Sequence, residues 1–576
     1  MKKFLAFLTS ALFLPSVSAQ EAKSNADSTP ALPSGYLRTE DWLKAAPGKL
    51  QAGEIDRLVN AELAKAKQKP SLLVTDEQFI RRVCLDITGK LPSPTEVSDF
   101  LKDPATDKRA KWIDKLLDSP EFARHWSVYW REVISSRTTD FRSQLIARHF
   151  ERWLAEQFKD NKSWGAIVRD ILTATGQVKY DEPDKNGQAY FLSTRSGADA
   201  TTELAAEASR IFLGIQIQCA QCHDHPSDVW KREQFHQFAA YFARVRERPV
   251  RDGMRFVGSE LVSLPFGEHQ MPDKDNPQKK TTMAPKFLDG KSSGLKAGPG
   301  GFGGFGRGGF GKGGFGGGAS DMARRKSLAD SVIDKNNPWF AGAFVNRVWG
   351  ELMGQSFYTP VDDMGPEKEA YLPVVLARVS AAFRSSDYDI KDLYRNILNS
   401  QTYQRQVRPG ESASDHLLFA ARNPTRLNAE AIYSSLTSVL GDLGSGPGGF
   451  RGFAGGAFGR FQNFTTLFKQ EFRFDPSTKP EEVEGSVAQA LLLMNSPTLN
   501  EKIRAKGNNF LARTLDAYTS DDEAVRQVYL RALARRPTQR ELERCKEYIL
   551  RAASRAEAYE DILWALINST EFLTRQ

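Results

Sequence analysis

Long apolar runs are scarce in this 576-residue chain. Beyond its first 20 or so residues, no segment is long and apolar enough to span a bilayer. Cysteine and histidine are also scarce, at four and seven. Strand signals are sparse, which predicts a mainly α fold. There is no Ser-His-Asp set, no deaminase signature and no phosphate loop set between a strand and a helix. Those absences leave no case for triad hydrolysis, base deamination or nucleotide hydrolysis by a P-loop. Lys and Arg number 79 against 71 Asp and Glu, a net charge of +8, but the two signs are interspersed. That pattern describes a mixed solvated surface and gives no nucleic-acid partner.

Against this scarcity, Cys219-Ala220-Gln221-Cys222-His223-Asp224-His225-Pro226 gathers two cysteines and two histidines. Cys219-x-x-Cys222-His223 is the spacing of a c-type haem attachment site. Two thiols three residues apart lie on one side of a helical turn, where both can form thioethers to one haem. His223 then supplies the proximal imidazole. Composition alone yields such a pattern with a probability of roughly a few in ten thousand. For the sixth iron position, His225 and His236 are nearby candidates. Met271 and Met283 are plausible in spacing but lie in text ill suited to order. A second reading is a zinc or other transition-metal site made of Cys219, Cys222, His223 and His225, with Asp224 or Asp228 near. His223 and His225 are two residues apart, so that site needs a loop. A third is a disulfide between the two cysteines.

The rest of the chain divides by composition. Residues 1–19 read as a signal peptide. Lys2 and Lys3 precede the apolar run Phe4 to Leu14, and Val17-Ser18-Ala19 offers a cleavage site. The mature protein is then periplasmic or extracellular, the compartment where c-type haem is attached. Residues 20–48 read as a flexible tether, and 49–245 as a helical domain holding the cysteine motif. A Pro/Gly-rich linker is expected over 246–320, and a second helical domain over 321–576 with a Gly/Phe-rich insertion near 441–461. Aromatic residues Trp126, Tyr129 and Trp130 recur at helical spacing and predict core packing; the nearby His125 and His149 read as packed or surface residues. Trp230, Phe235, Phe238, Tyr241 and Phe242 either wall a haem or fill a core.

An internal repeat is visible. Arg81-x-Val83-x-Leu85, Pro92 and Glu96 match Arg526-x-Val528-x-Leu530, Pro537 and Glu541 at a constant offset. Three helix ends are also alike: Leu116 to Phe122, Ile397 to Tyr403 and Leu566 to Phe572. These predict recurring helical hairpins, with the Glu residues as helix caps.

Longer phrases carry a family resemblance. Phe79 to Gly89 with Pro92-Ser93-Pro94, and Cys219 to Pro226, resemble the domain of unknown function 1549, also called a planctomycete-type cytochrome c domain. Asn337 to Phe340, Val345 to Trp349, Pro360 to Asp363 and Leu493 to Pro497 resemble its usual partner, the domain of unknown function 1553. The resemblance implies an exported bacterial protein in a redox or polysaccharide-processing setting, with a redox partner or a cell-surface polymer as its counterpart. It implies no established reaction. The competing expectation is a helical zinc hydrolase or a polymer-binding scaffold. Asp86, Asp362 and Asp363 fall within these phrases; each reads as an acid, base or metal ligand, or more plainly as a helix cap or a partner for an arginine such as Arg347. Cys84 and Cys545 read as buried apolar residues.

Overall fold

The computed structural model describes residues 34–138, 142–297, 318–408, 417–444 and 464–576. The signal peptide, most of the Gly/Phe-rich stretch after 297 and nearly all of the second insertion lie outside these residues. Helices dominate and strands are short, so the chain is mainly α. No helix among the described residues is long and apolar enough to cross a membrane.

The repeated helical hairpins are present, and they agree down to single hydrogen bonds. Helix α1 (Asp76–Thr88) turns into Pro94–Lys102 as Asp521–Leu533 turns into Gln539–Arg551. Both second helices open with a reciprocal capping box, Ser93 with Glu96 and Thr538 with Glu541. At the three similar helix ends a serine hydroxyl donates backward and accepts forward. Ser119 donates to the Leu116 carbonyl at 2.6 Å and accepts from the Phe122 amide at 3.3 Å. Ser400 does the same with Ile397 (2.6 Å) and Tyr403 (3.2 Å), and Ser569 with Leu566 (2.7 Å) and Phe572 (3.2 Å). Each serine stops one helix and sets the following aromatic ring into the core.

Two apolar cores form among the described residues. The first gathers residues from Leu37 through Ala420 together with Leu530 and Ala534; the second gathers Leu427 through Phe572 together with Leu85 and Leu91. The first core therefore draws on residues from both sides of the expected linker. The physical reason is the helix Pro338–Met353. It is buried all round, not only along the stripe of Phe340, Phe344, Val348 and Leu352. Its Phe344 stacks on Trp130 at 5.4 Å and lies 4.7 Å from Trp164, so the first half of the chain supplies its partners.

Two expectations of flexible chain are corrected. Within the expected tether, strand β1 (Ser34–Tyr36) pairs with Glu369–Tyr371, and Trp42 is fully buried against Trp339 at 5.7 Å. Within the expected linker, residues 246–297 carry ordered strands. Strand β2 (Gly176–Lys179) pairs with β4 (Arg255–Ser263), which pairs with β3 (Val245–Asp252); β5 (His269–Pro272) pairs with β6 (Lys280–Met283). The β3–β4 turn has Gly253 at φ 58° between Asp252 and Met254, the place where a two-residue hairpin turn requires positive φ.

Candidate functional site

Helix α2 (Ala200–Ala208) leads toward the cysteine motif. Its last stretch, Ser209–Leu213, widens to π geometry and ends at Gly214, φ 69°. A side chain at Gly214 would meet the Met364 sulfur at 2.6 Å, so glycine is required there by both conformation and space. The chain then forms a 3₁₀ turn, Gln218–Gln221, with Ala220 buried inward. Cys219 lies within that turn and Cys222 is the residue that ends it. Both are exposed free thiols. His223 Nδ1 lies 2.7 Å from the Asp224 carbonyl. A carbonyl only accepts, so Nδ1 carries the proton and Nε2 keeps its lone pair for another partner. The Asp224 carboxylate accepts the Arg232 amide at 3.0 Å and pairs with Lys231 at 3.3 Å, which ties the loop to helix α3 (Arg232–Ala239).

The turn borders a cleft of about 850 Å³ between α2, α3 and the β5–β6 hairpin. Cys222, His223, His236 and His269 line it. His236 Nε2 is 3.0 Å from the Gln221 carbonyl, and its Nδ1 is 2.8 Å from His269 Nε2. The carbonyl fixes the tautomers: His236 donates from Nε2, accepts at Nδ1 from His269, and leaves the His269 lone pair on Nδ1. Burial lowers the pKa of His236. Burial, then the neighbouring His236 and Arg246, push His269 down to about 4. Both imidazoles are therefore neutral at neutral pH. Four cations, Arg232, Arg246, Lys274 and Lys280, share the cleft with Asp199, Glu268 and Asp273. Glu268 is already paired, with Arg244 and Arg324 at 2.6 Å each.

His269 was not singled out by the sequence reading, because it lies in the stretch read as linker. Its signal is scarcity: three of seven histidines line one cleft. The other expected residues are dispersed. His225 is not part of the cleft; its Nδ1 accepts the Ser227 amide at 3.3 Å. Among the described residues no three His, Cys, Asp or Glu side chains converge to hold a metal ion, so the four-ligand set of Cys219, Cys222, His223 and His225 is not assembled. Met271 and Met283 lie in the ordered β5–β6 hairpin, yet neither lines the cleft. Phe235, Phe238, Tyr241 and Phe242 are core residues. His125 is partly buried, and desolvation and then Arg575 push it down to about 4; His149 Nε2 bonds the Lys179 carbonyl at 2.7 Å.

The three family-phrase carboxylates pair with cations in this structure. Asp86, fully buried, accepts from Tyr403 (2.7 Å) and Arg575 (3.4 Å). Asp362 accepts from Arg210 (2.8 Å) and Gln216 (2.9 Å), with Arg347 at 3.6 Å. Burial would raise its pKa, but Arg347 and Arg210 outweigh burial and hold it at about 2. Asp363 pairs with Lys368 at 3.3 Å. Cys84 and Cys545 are buried free thiols in different cores, each pushed up to about 12 by burial.

Residues 54–247 match the family model described as a protein of unknown function (DUF1549). Residues 324–453 and 460–549 match that described as a protein of unknown function (DUF1553). No curated protein and no solved structure matches the chain.

Proposed function

We propose that this chain, which belongs to the DUF1549 family over its first half and to the DUF1553 family over its second, is an exported redox protein that carries one c-type haem. Cys219 and Cys222 would hold the haem as thioethers, and His223 Nε2 would bind its iron. The observation that carries this reading is the turn itself. It presents two exposed free thiols three residues apart, followed by an imidazole whose other nitrogen is tied to the Asp224 carbonyl. Such a tie orients a metal-binding histidine and fixes its tautomer. The cleft beside the turn is polar and cationic; Arg232, Arg246, Lys274 and Lys280 suit the two carboxylates that haem carries.

When bound, haem supplies one-electron chemistry, with a potential set by its axial ligands and exposure. The chain's own residues hold the turn: His236 donates to Gln221, and His269 donates to His236. Polysaccharide processing is the setting that the family resemblance suggests for that redox role. The test is a pyridine haemochrome spectrum of protein matured in a host that attaches c-type haem, with elemental metal analysis. One c-type haem per chain, lost in Cys219→Ser/Cys222→Ser, supports the reading. Stoichiometric zinc without haem, or neither, overturns it.

A further inference from the structure

A second pocket lies where the two apolar cores meet, walled by the helix Pro338–Met353, by the paired strands Thr425–Arg426 and Thr574–Arg575, and by residues 474–483. Its free volume is about 70 Å³. A single water needs roughly 10–15 Å³ on that measure, so the space takes about five water-sized probes. That is room for a tetrahedral oxyanion or a carboxylate group.

The charge of its wall is one-sided. Arg347, Arg426, Lys479 and Arg575 line it, against the single carboxylate of Glu351. Glu351 is already bound by Arg575 at 2.6 Å. Asp362 and Asp86 stand behind the wall, beside Arg347 and Arg575, but Asp362 is shared with Arg210 and Asp86 with Arg422. Arg426 has a hydrogen bond to Gln489 at 2.7 Å and no ion pair among the described residues. Unused donors sit at the same place. Arg575 and Thr425 line the pocket; Arg575 Nε and Thr425 Oγ1 are buried and have no hydrogen-bond partner. Behind them Arg422 is 1% exposed, none of its three nitrogens has a hydrogen-bond partner, and its nearest carboxylate oxygen, on Asp86, is at 3.8 Å. Buried guanidiniums and unpaired donors are costly unless an acceptor of opposite charge completes them.

We propose that this pocket binds an oxyanion group, a sulfate, phosphate or carboxylate, either as a free ion or at the end of a larger ligand. Arg426 and Lys479 meet the anion directly, and Arg575 and Thr425 supply further donors from the wall. Arg347 links the pocket to the buried Arg210–Asp362 pair and so fixes its inner wall.

The test is calorimetric titration of the full chain with sodium sulfate, sodium phosphate, sodium acetate and glucose 6-phosphate, at ionic strength matched with sodium chloride. Saturable binding by at least one of these is expected, about tenfold or more weaker in Arg426→Gln, and severalfold weaker in Lys479→Gln. Lys479 is partly exposed and pairs with Glu482 at 3.4 Å, so its variant keeps the test valid if Arg426→Gln fails to fold. Tighter binding of glucose 6-phosphate than of inorganic phosphate identifies a larger ligand; the reverse identifies a free ion. Binding no stronger than that of chloride, or unchanged in Lys479→Gln, overturns the proposal.

Discussion

His236 Nδ1 lies 2.8 Å from His269 Nε2, and this contact joins helix α3 to strand β5 across the cleft beside the cysteine turn. Because His236 also holds the Gln221 carbonyl, the pair acts as a strut under Cys222. His236→Phe keeps a ring in place but removes both hydrogen bonds. Loss of about 1 kcal/mol at the turn corresponds to roughly fivefold more opening. The expected outcome, in haem-free protein, is alkylation of Cys222 that speeds up by about that factor, with a smaller change at Cys219. Peptide mass spectrometry after timed alkylation measures both; equal rates would show that the histidines do not support the turn.

Asp362 gives a stability prediction with a definite pH window. Its folded pKa of about 2 lies below the unfolded value of about 3.9. Its contribution is therefore present above pH 4 or so and is lost as pH falls through about 2. Asp362→Asn leaves Arg210 and Arg347 buried without their carboxylate, at an expected cost of roughly 3–5 kcal/mol near pH 7. Urea unfolding at pH 7 and at pH 3 should show the difference from wild type narrowing at the lower pH.

Glu132 behaves in the opposite sense. Burial raises its pKa to about 7, and Arg131 at 3.5 Å does not offset that. The folded value lies above the unfolded one of about 4.3, so stability falls as pH rises between the two. Glu132→Gln should raise the thermal midpoint at pH 8, by roughly 1–3 kcal/mol of stability, and change it little at pH 5.

Phe344 tests the shared core. Its stacking against Trp130 joins elements on either side of the Gly-rich segment. Phe344→Ala should cost roughly 3–5 kcal/mol and weaken the near-ultraviolet dichroism of the tryptophans. A fragment ending at Ala297 should retain helical content yet lack that near-ultraviolet signal, because its core partner is missing. A fragment with native-like near-ultraviolet dichroism would show that the first half closes its core alone.

The three serines of the repeated helix ends make a matched set. Ser119→Ala, Ser400→Ala and Ser569→Ala each remove one backward and one forward hydrogen bond, at an expected cost of about 1 kcal/mol apiece. Set in three separate helix ends with no partner in common, they should add nearly independently in the triple variant by chemical denaturation.

Much of this was legible in the sequence because it is local. Ser93 with Glu96 and Thr538 with Glu541 cap as their spacing predicts, since a capping box depends on residues three apart. The turn geometry of Cys219 and Cys222 is local too. What stayed hidden depends on distance along the chain. Trp42 looked like part of a tether because its partner Trp339 is nearly 300 residues away. His269 looked like linker because hairpin β5–β6 gains its reason from the cleft it walls. Asp252-Gly253, by contrast, is a turn signal present in the text, and charged and proline residues around it concealed the strands.

The shared first core also sets a timetable. Arg82 donates to the carbonyls of Tyr403 and Arg405, 321 and 323 residues downstream. At about 5–20 residues per second of synthesis, helix α1 waits from roughly 15 seconds to a minute for those partners to exist. Trp130 and Trp164, which touch at 4.5 Å, likewise wait for the Phe344 ring that packs on both. A chain that cannot close its first core until its later half arrives leaves that core's apolar residues exposed for longer during synthesis.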